Sequence, residues 1–296
     1  MMTRTGLKPI NPFVDWGFKY MFGREESKDL LLEFLNLLLK PDVPIREIVY
    51  LNPEVIPDKP SMKRCVFDVL CTDDNGDRYL IEMQKVSRGD MANRLVYYVC
   101  RLIDSMGRRS KKWDYSMIKR VYAICLMDYT YESEPFLRND IMLRNARDGR
   151  AYSDLLNVIT LQIPYLRAES LAGCKESYEK LLYLLKSMSK KMKTTEELLA
   201  EIDALHNISE QTKDIFRRVV MTVEEDLTEE QWRDYEKDLD QYQDTMAEIE
   251  TARKEGRDEG IKEGLHNAAR AMKTRGVDVK IIAACTGLSE SEIASL

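Results

Sequence analysis

Apolar and polar positions in the first half of the chain change their spacing several times, and each change predicts a new element. Residues 28–39 are almost continuously apolar, follow Ser27 as an N-cap and stop before Pro41, which predicts a helix. Three runs with strand-like composition come next, and the last two flank Asn75-Gly76, a dipeptide that strongly favours a hairpin. These predicted strands cover residues 45–55, 64–72 and 78–86.

A second helix and two further strands follow the hairpin. Leu95, Val99 and Leu102 recur at i, i+4 and i+7, which predicts a helix over residues 90–106 that ends at Gly107. Two apolar runs predict strands at residues 119–127 and 158–163. The order helix, three strands, helix, strand predicts an α/β fold in which helices flank a mixed central sheet.

The second half of the chain has a helical pattern from residue 168 onward, and no strand signal returns. Glu-Gly pairs recur every four residues from Glu255 to Gly264, which keeps the glycines on one helix face. This stripe fits either self-association or a loosely helical linker. Ser289 and Glu292 form a capping box in a final helix-turn-helix-like unit. We therefore expect three segments: an α/β core (1–167), a helical subdomain (168–250) and a helical tail (251–296).

The net charge of −6 argues at first against a polyanionic partner, but the charge is unevenly distributed. Residues 1–200 hold 32 Lys/Arg and 28 Asp/Glu, whereas residues 201–250 hold 5 and 16. The acidity therefore belongs to one block in the helical half. The predicted core is mildly basic, so the net charge does not exclude nucleic acid.

Several classes of protein are disfavoured by composition. The six cysteines form no C-x-x-C pair and lie mostly in apolar runs, which is typical of buried free thiols in a reducing compartment. The two histidines, His206 and His266, are too few for a histidine-based zinc site or catalytic apparatus. The first residues lack the apolar region of a signal peptide, and the longest apolar stretch, residues 30–39, is too short to span a bilayer. We expect a cytoplasmic protein without membrane contact.

Candidate chemistry gathers around the predicted hairpin. Side chains alternate along a strand, so Glu82 and Gln84 share one face and Lys85 points to the other. The hairpin can bring Asp68 beside them, and two converging carboxylates suit Mg²⁺, a hard cation that prefers oxygen ligands. The backbone carbonyl of Met83 could add a third ligand. An exposed edge strand with a polar face is the alternative interpretation.

The segment FDVLCTDDNGDRYLIEMQK, residues 67–85, resembles the D…ExQ form of the PD-(D/E)XK nuclease motif. More narrowly, it resembles the Rpn family of recombination-promoting nucleases, often described as PD-(D/E)XK nuclease family transposases. Three further segments resemble motifs of that family: DWGFKYMFG (15–23), LLLEFLNLLL (30–39) and MANRLVYYVCRLID (91–104). The Glu-Gly repeats and the terminal TGLSESEI are also similar, so the resemblance covers nearly the whole chain.

The resemblance implies a restriction-endonuclease-like core (αβββαβ) over residues 1–167 and a DNA endonuclease that depends on Mg²⁺ or Mn²⁺ and is associated with recombination or mobile elements. Asp68, Glu82 and the carbonyl of Met83 would hold the metal. Gln84 stands where the wider superfamily has lysine, and it would orient a water molecule or a phosphate oxygen. A helix acid, either Glu33 or alternatively Asp15, would complete the site.

One residue departs from the literal motif, since Phe67 rather than proline precedes Asp68. DNA is the expected partner, and the cations expected to contact it are Arg94, Arg108, Arg109, Lys111 and Lys112. Self-association through the tail is a further expectation. The other interpretations are a nuclease fold without turnover that binds DNA or protein, and an RNA-directed nuclease.

Overall fold

The computed structural model describes residues 6–55, 65–87, 89–107, 113–131 and 136–296. The chain divides into two compact units, Met1–Asp238 and Leu239–Leu296. The first unit contains a mixed six-stranded sheet flanked by helices, as the sequence predicts. The predicted boundary after residue 167 falls inside this unit, and the one after residue 250 falls inside a continuous helix.

The helices and strands of the first unit follow the predicted order, with more strands than expected. Its helices are α1 (Asp15–Phe22), α2 (Lys28–Leu39), α3 (Met91–Asp104), α4 (Ser177–Ser189), α5 (Thr195–Asp203) and α6 (Glu210–Val220). Its strands are β1 (Ile48–Tyr50), β2 (Glu54–Val55), β3 (Cys65–Val66), β4 (Val69–Asp73), β5 (Arg78–Gln84), β6 (Val121–Met127), β7 (Arg138–Arg144) and β8 (Ala151–Gln162).

The main sheet has the strand order β1-β4-β5-β6-β8-β7, and β2 pairs with β3 in a separate small ribbon. Strands β5, β6 and β8 are parallel neighbours, whereas β1, β4 and β7 join antiparallel. The edge strand β7 was not predicted, because its residues are mostly exposed and carry no apolar alternation. Strand β5, by contrast, lies in the middle of the sheet.

The β4–β5 hairpin turns at the predicted Asn75-Gly76 dipeptide. Gly76 has a φ of +85°, a left-handed conformation that glycine adopts without steric cost. The Asp73 carboxylate accepts hydrogen bonds from the backbone N–H groups of Asn75 (3.0 Å) and Asp77 (2.9 Å). These contacts fix the hairpin register, in which Val69 lies opposite Ile81.

The predicted strand over residues 64–72 is interrupted rather than continuous. The backbone N–H of Phe67 donates to the carbonyl of Pro53 at 2.9 Å, beside the β2–β3 ribbon, and so does not continue the ladder to β5. The β4–β5 pairing therefore stops at Val69, and Asp68 lies at the break between β3 and β4. The predicted strand over residues 45–55 is similarly divided into β1 and β2.

The two faces of the sheet are covered by different helices. Odd-numbered residues of β4 and β5, such as Val69 and Ile81, pack in one core with α1, α2 and α4. Even-numbered residues, such as Leu70 and Leu80, pack in a second core with α3. By strand alternation, Glu82 and Gln84 point toward α3.

Helix α2 has the predicted bounds, but its N-terminus differs from the expectation. The Ser27 side chain makes no capping bond to α2 and instead donates to the carbonyls of Tyr20 and Arg24. Helix α3 ends at Asp104, slightly before the predicted Gly107.

Helix α7 (Glu229–Thr274) is continuous through the Glu-Gly repeats, and its last part forms the second unit with α8 (Val279–Thr286) and α9 (Glu290–Ser295). Ala269, Ile282 and Ile293 form a small core there, and the Ser289–Glu292 capping box is present. A Cβ placed on Gly256, Gly260 or Gly264 would meet no atom of the described chain within 4 Å. Among the described helices, none is both long and apolar enough to cross a membrane.

The N-terminal segment packs closely against α1 at Gly17, and this contact yields a test of the fold. A Cβ at position 17 would lie 2.2 Å from the carbonyl oxygen of Asn11. We expect Gly17→Ala to lower the free energy of unfolding by about 1–3 kcal/mol, as overpacking does, in a chemical denaturation experiment. Gly89→Ala is the control, since no described residue beyond its chain neighbours lies within 4 Å of a Cβ placed there. Equal stabilities for both variants would contradict this packing.

Candidate active site

Asp68 and Glu82 lie opposite each other where the β4–β5 ladder ends. The backbone N–H of Asp68 donates to Glu82 Oε1 at 3.4 Å, and the backbone N–H of Met83 donates to Asp68 Oδ2 at 2.8 Å. Each carboxylate is thus bonded to the strand that carries the other. The break after β3 makes this possible, because Asp68 takes the ladder bond that Phe67 would otherwise make with Met83.

The Glu82 carboxylate is buried, and its second oxygen is also occupied. Gln84 Nε2 donates to Glu82 Oε2 at 3.0 Å, and Arg94 Nη2 lies 3.4 Å from the same oxygen. Glu82 is only 1% exposed and belongs to a central strand, so the interpretation as an exposed edge strand is wrong. Gln84 shares its face, as the strand period predicts.

Arg94 is held in place by the tyrosine one turn further along α3. Arg94 Nε donates to the Tyr98 hydroxyl at 2.7 Å, and its guanidinium lies 5.1 Å from the centre of the Tyr98 ring. The tyrosine is itself packed edge-on against Phe67. These contacts direct the positive charge of α3 toward Glu82.

Burial dominates the electrostatics of the two carboxyl groups. It raises the pKa of Glu82 to about 8, and the neighbouring Asp68 charge adds to the shift, against the attraction of Arg94. Burial also raises the pKa of Asp68, although the hydrogen bond from Met83 opposes the shift. The repulsion between the two carboxylates favours either a proton on one of them or a cation bound beside them.

The donor set fits a divalent metal ion. Mg²⁺ and Mn²⁺ prefer oxygen ligands, and the two carboxylates gain from neutralisation of their charge. The N–H and C=O of one strand residue point to the same side, so the Met83 carbonyl faces the side on which its N–H meets Asp68. No group of three His, Cys, Asp or Glu side chains suited to a metal occurs in the described part of the chain. Carbonyl or water ligands would therefore complete the coordination.

The structure does not bring Glu33 to this pair, which corrects the sequence-based expectation. Glu33 Oε1 accepts a hydrogen bond of 2.6 Å from the Thr212 hydroxyl of α6. The physical reason is the layering of the fold, since α2 covers the face of the sheet opposite to the one toward which Glu82 points. A helix acid cannot be assigned to a sheet face from its position in the chain alone.

Asp15, the alternative acid, belongs to the electrostatic surroundings of the pair. Its charge raises the pKa of Asp68, and its carboxylate forms an ion pair of 2.8 Å with Lys19 one turn along α1. A further acid that the sequence did not indicate is Asp238 of α7, whose Oδ2 accepts a hydrogen bond of 3.0 Å from the Trp16 backbone N–H. No sequence signal identifies a contact between positions this far apart.

Lys85 is closer to the site than strand alternation predicts, because β5 ends at Gln84. Burial lowers its pKa, while the charges of Asp15, Asp238 and Asp68 act in the opposite direction.

Of the five cations expected to contact DNA, Arg94 lies at the carboxylate pair. The other four, Arg108, Arg109, Lys111 and Lys112, lie outside the described residues.

A mixed sheet whose hairpin sets an aspartate beside a Glu-x-Gln segment defines a PD-(D/E)XK nuclease-like fold. The family model for PD-(D/E)XK nuclease family transposases matches residues 12–252, and the chain belongs to this family. Comparison with curated proteins and with solved structures gives no match.

The raised pKa of Glu82 predicts a pH-dependent cost to stability in the metal-free protein. Between its ordinary pKa of 4.5 and the folded value of about 8, the unfolded chain loses this proton while the folded chain keeps it. Stability therefore falls as pH rises through this window. Glu82→Gln removes the cost, so we expect its thermal midpoint to rise relative to wild type between about pH 5 and pH 8.5.

The measurement is thermal unfolding in chelator-containing buffer across this pH range. Glu33→Gln is the matched control, since glutamine keeps the oxygen that accepts from Thr212. Its midpoint should follow that of wild type. A Glu82→Gln difference that stays constant with pH would contradict the buried, protonated state of this carboxyl group.

Proposed function

We propose that this protein is a divalent-metal-dependent DNA endonuclease that hydrolyses phosphodiester bonds in recombination or in mobile elements. The observation that carries the proposal is the pair of carboxyl groups, Asp68 and Glu82, each hydrogen-bonded to the other's strand at the end of the hairpin. A buried carboxylate beside a half-buried one is costly for a protein without a bound cation. Membership of a nuclease-like transposase family supports the same reaction class.

Asp68, Glu82 and the carbonyl of Met83 would hold Mg²⁺ or Mn²⁺. When bound, such an ion lowers the pKa of a coordinated water and offsets the charge of the phosphate. Gln84 hydrogen-bonds Glu82 and can orient a water molecule or a phosphate oxygen, but it brings no positive charge. Arg94, held by Tyr98 beside Glu82, provides that charge for the phosphate.

A nuclease fold without turnover is the second candidate, and one observation favours it. The helix acid expected at Glu33 contacts Thr212 of α6 instead of the carboxylate pair. Such a protein would bind DNA through the same surface and leave it intact.

Plasmid nicking separates these two functions. We expect the purified full-length protein to nick supercoiled DNA with Mg²⁺ or Mn²⁺, and Asp68→Asn and Glu82→Gln to lose roughly 100-fold or more of the rate. Glu33→Gln should cut like wild type, because its carboxylate faces α6. Folded protein that cuts no DNA with either ion, or variants at Asp68 and Glu82 that cut normally, would overturn the proposal.

Metal binding provides a readout that does not depend on turnover. A ligand at 100 times its Kd stabilises the folded state by about 2.7 kcal/mol, so Mg²⁺ or Mn²⁺ should raise the thermal midpoint of the wild type. Asp68→Asn should abolish most of this rise, and Glu33→Gln should retain it. An equal rise in all three proteins would place metal binding elsewhere.

A further inference from the structure

A second group of charged side chains lies at the end of β6, one strand away from Gln84. Asp128 directly follows β6, and its backbone N–H donates to the carbonyl of Gln84 at 2.9 Å. Strands β5 and β6 are parallel, so their carboxyl ends meet at one edge of the sheet. Because neighbouring strands lie about 4.8 Å apart, the Asp128 backbone adjoins that of Gln84 at this edge, and its side chain lies with α4 on the sheet face opposite to Glu82.

Lys190, which follows the last residue of α4, covers the Asp128 carboxylate. Its Nζ lies 2.7 Å from Asp128 Oδ2. The aspartate side chain is only 3% exposed, whereas the lysine side chain is 40% exposed. The Lys190 ammonium group therefore pairs with a buried carboxylate and is still open to solvent.

Two further cations, Lys186 and Arg167, lie near the Asp128–Lys190 ion pair. Lys186 lies one helical turn before Lys190 and donates to the carbonyl of Leu166 at 2.7 Å. Burial lowers the pKa of Lys186, the charges of Arg167 and Lys190 lower it further, and Asp128 opposes the shift. Arg167 is exposed.

The cations near Asp128 outnumber its single negative charge, and this excess distinguishes a binding surface from a structural ion pair. A buried carboxylate needs one cation for neutralisation, and Lys190 supplies it. Lys186 and Arg167 add positive charge that Asp128 does not offset, and their mutual repulsion decreases when an anion binds between them. Such an excess of positive charge attracts polyanions.

We propose that Lys190, Lys186 and Arg167 form a phosphate-binding surface for the nucleic acid strand that reaches the Asp68–Glu82 pair. This inference rests on the proposed function and adds a second contact to it. A nucleic acid strand whose scissile phosphate lies at the carboxyl end of β5 also passes the end of β6. Lys190 is held there by its ion pair with Asp128. The helical half of the chain thereby takes part in substrate binding.

Salt-dependent DNA binding tests the inference. The parent protein is Glu82→Gln, which does not cut, and its affinity for a fluorescein-labelled duplex is measured by anisotropy over a series of NaCl concentrations without divalent metal. Each lysine–phosphate contact contributes about 0.9 to the slope of log K against log[salt]. We expect Lys186→Gln/Lys190→Gln to bind more weakly and to reduce the slope by about 1.8.

Three companion variants keep the test decisive. Lys186→Gln alone leaves the Asp128–Lys190 pair intact and should reduce the slope by about 0.9. Lys190→Arg keeps the charge and should keep the slope. Lys40→Gln is the matched control, since Lys40 is also an exposed lysine in an ion pair, with Glu176, and it should leave the slope unchanged.

The outcomes for this surface and for the nuclease activity are distinguishable. If the wild type nicks DNA but the folded lysine variants keep the parent slope, the phosphate-binding surface is wrong and the proposed function stands. If Lys40→Gln reduces the slope as much as Lys186→Gln, the effect is one of general charge and the inference also fails. If the wild type neither cuts nor binds DNA, the proposed function fails and this inference fails with it.

Discussion

The site depends on one cross-strand exchange, in which each of two carboxylates is bonded to the strand of the other. Met83 holds Asp68 through its backbone N–H, and Asp68 holds Glu82 in the same way. The exchange requires the ladder to stop at Val69, which in turn requires Phe67 to find another acceptor at Pro53. The small β2–β3 ribbon thus contributes to the site, because it draws the chain before Asp68 away from β5 and leaves space for a carboxylate.

The hairpin and the shared face of Glu82 and Gln84 could be predicted from the sequence, because both follow from local rules. Asn75-Gly76 specifies a turn, and the strand period of two fixes which side chains lie together. The break between β3 and β4 could not be predicted in this way. It depends on a hydrogen bond between Phe67 and a distant loop residue, and the local pattern of residues 64–72 is that of an uninterrupted strand.

The side of the sheet on which a helix and its acidic residues lie could not be predicted from the sequence either. Glu33 is the only acid beyond the first turn of a largely apolar helix, which made it a reasonable candidate. Which sheet face α2 covers, however, is decided by packing over the whole domain. Asp238 shows the same limit in the opposite direction. It lies in an acidic block of the helical half that resembles a solvated surface, yet its carboxylate accepts the Trp16 N–H in the first turn of α1. An anion there is favourable because the free N–H groups of a helix N-terminus carry partial positive charge.

Charge is divided along the sheet edge in a way that the net charge of −6 does not show. Acids exceed bases around the end of β5, where the charges of Asp15, Asp68 and Asp238 act together on Lys85. Bases exceed acids at the end of β6, where Lys190 pairs with Asp128 and Lys186 and Arg167 lie nearby. A single uniform ligand would be repelled by one of these two regions. A metal ion at the first and a phosphate group at the second satisfy both, and a nucleic acid strand with a bound divalent cation carries the two charges side by side. The division of charge between adjacent strands, rather than its sum, is therefore the quantity that bears on the choice of partner.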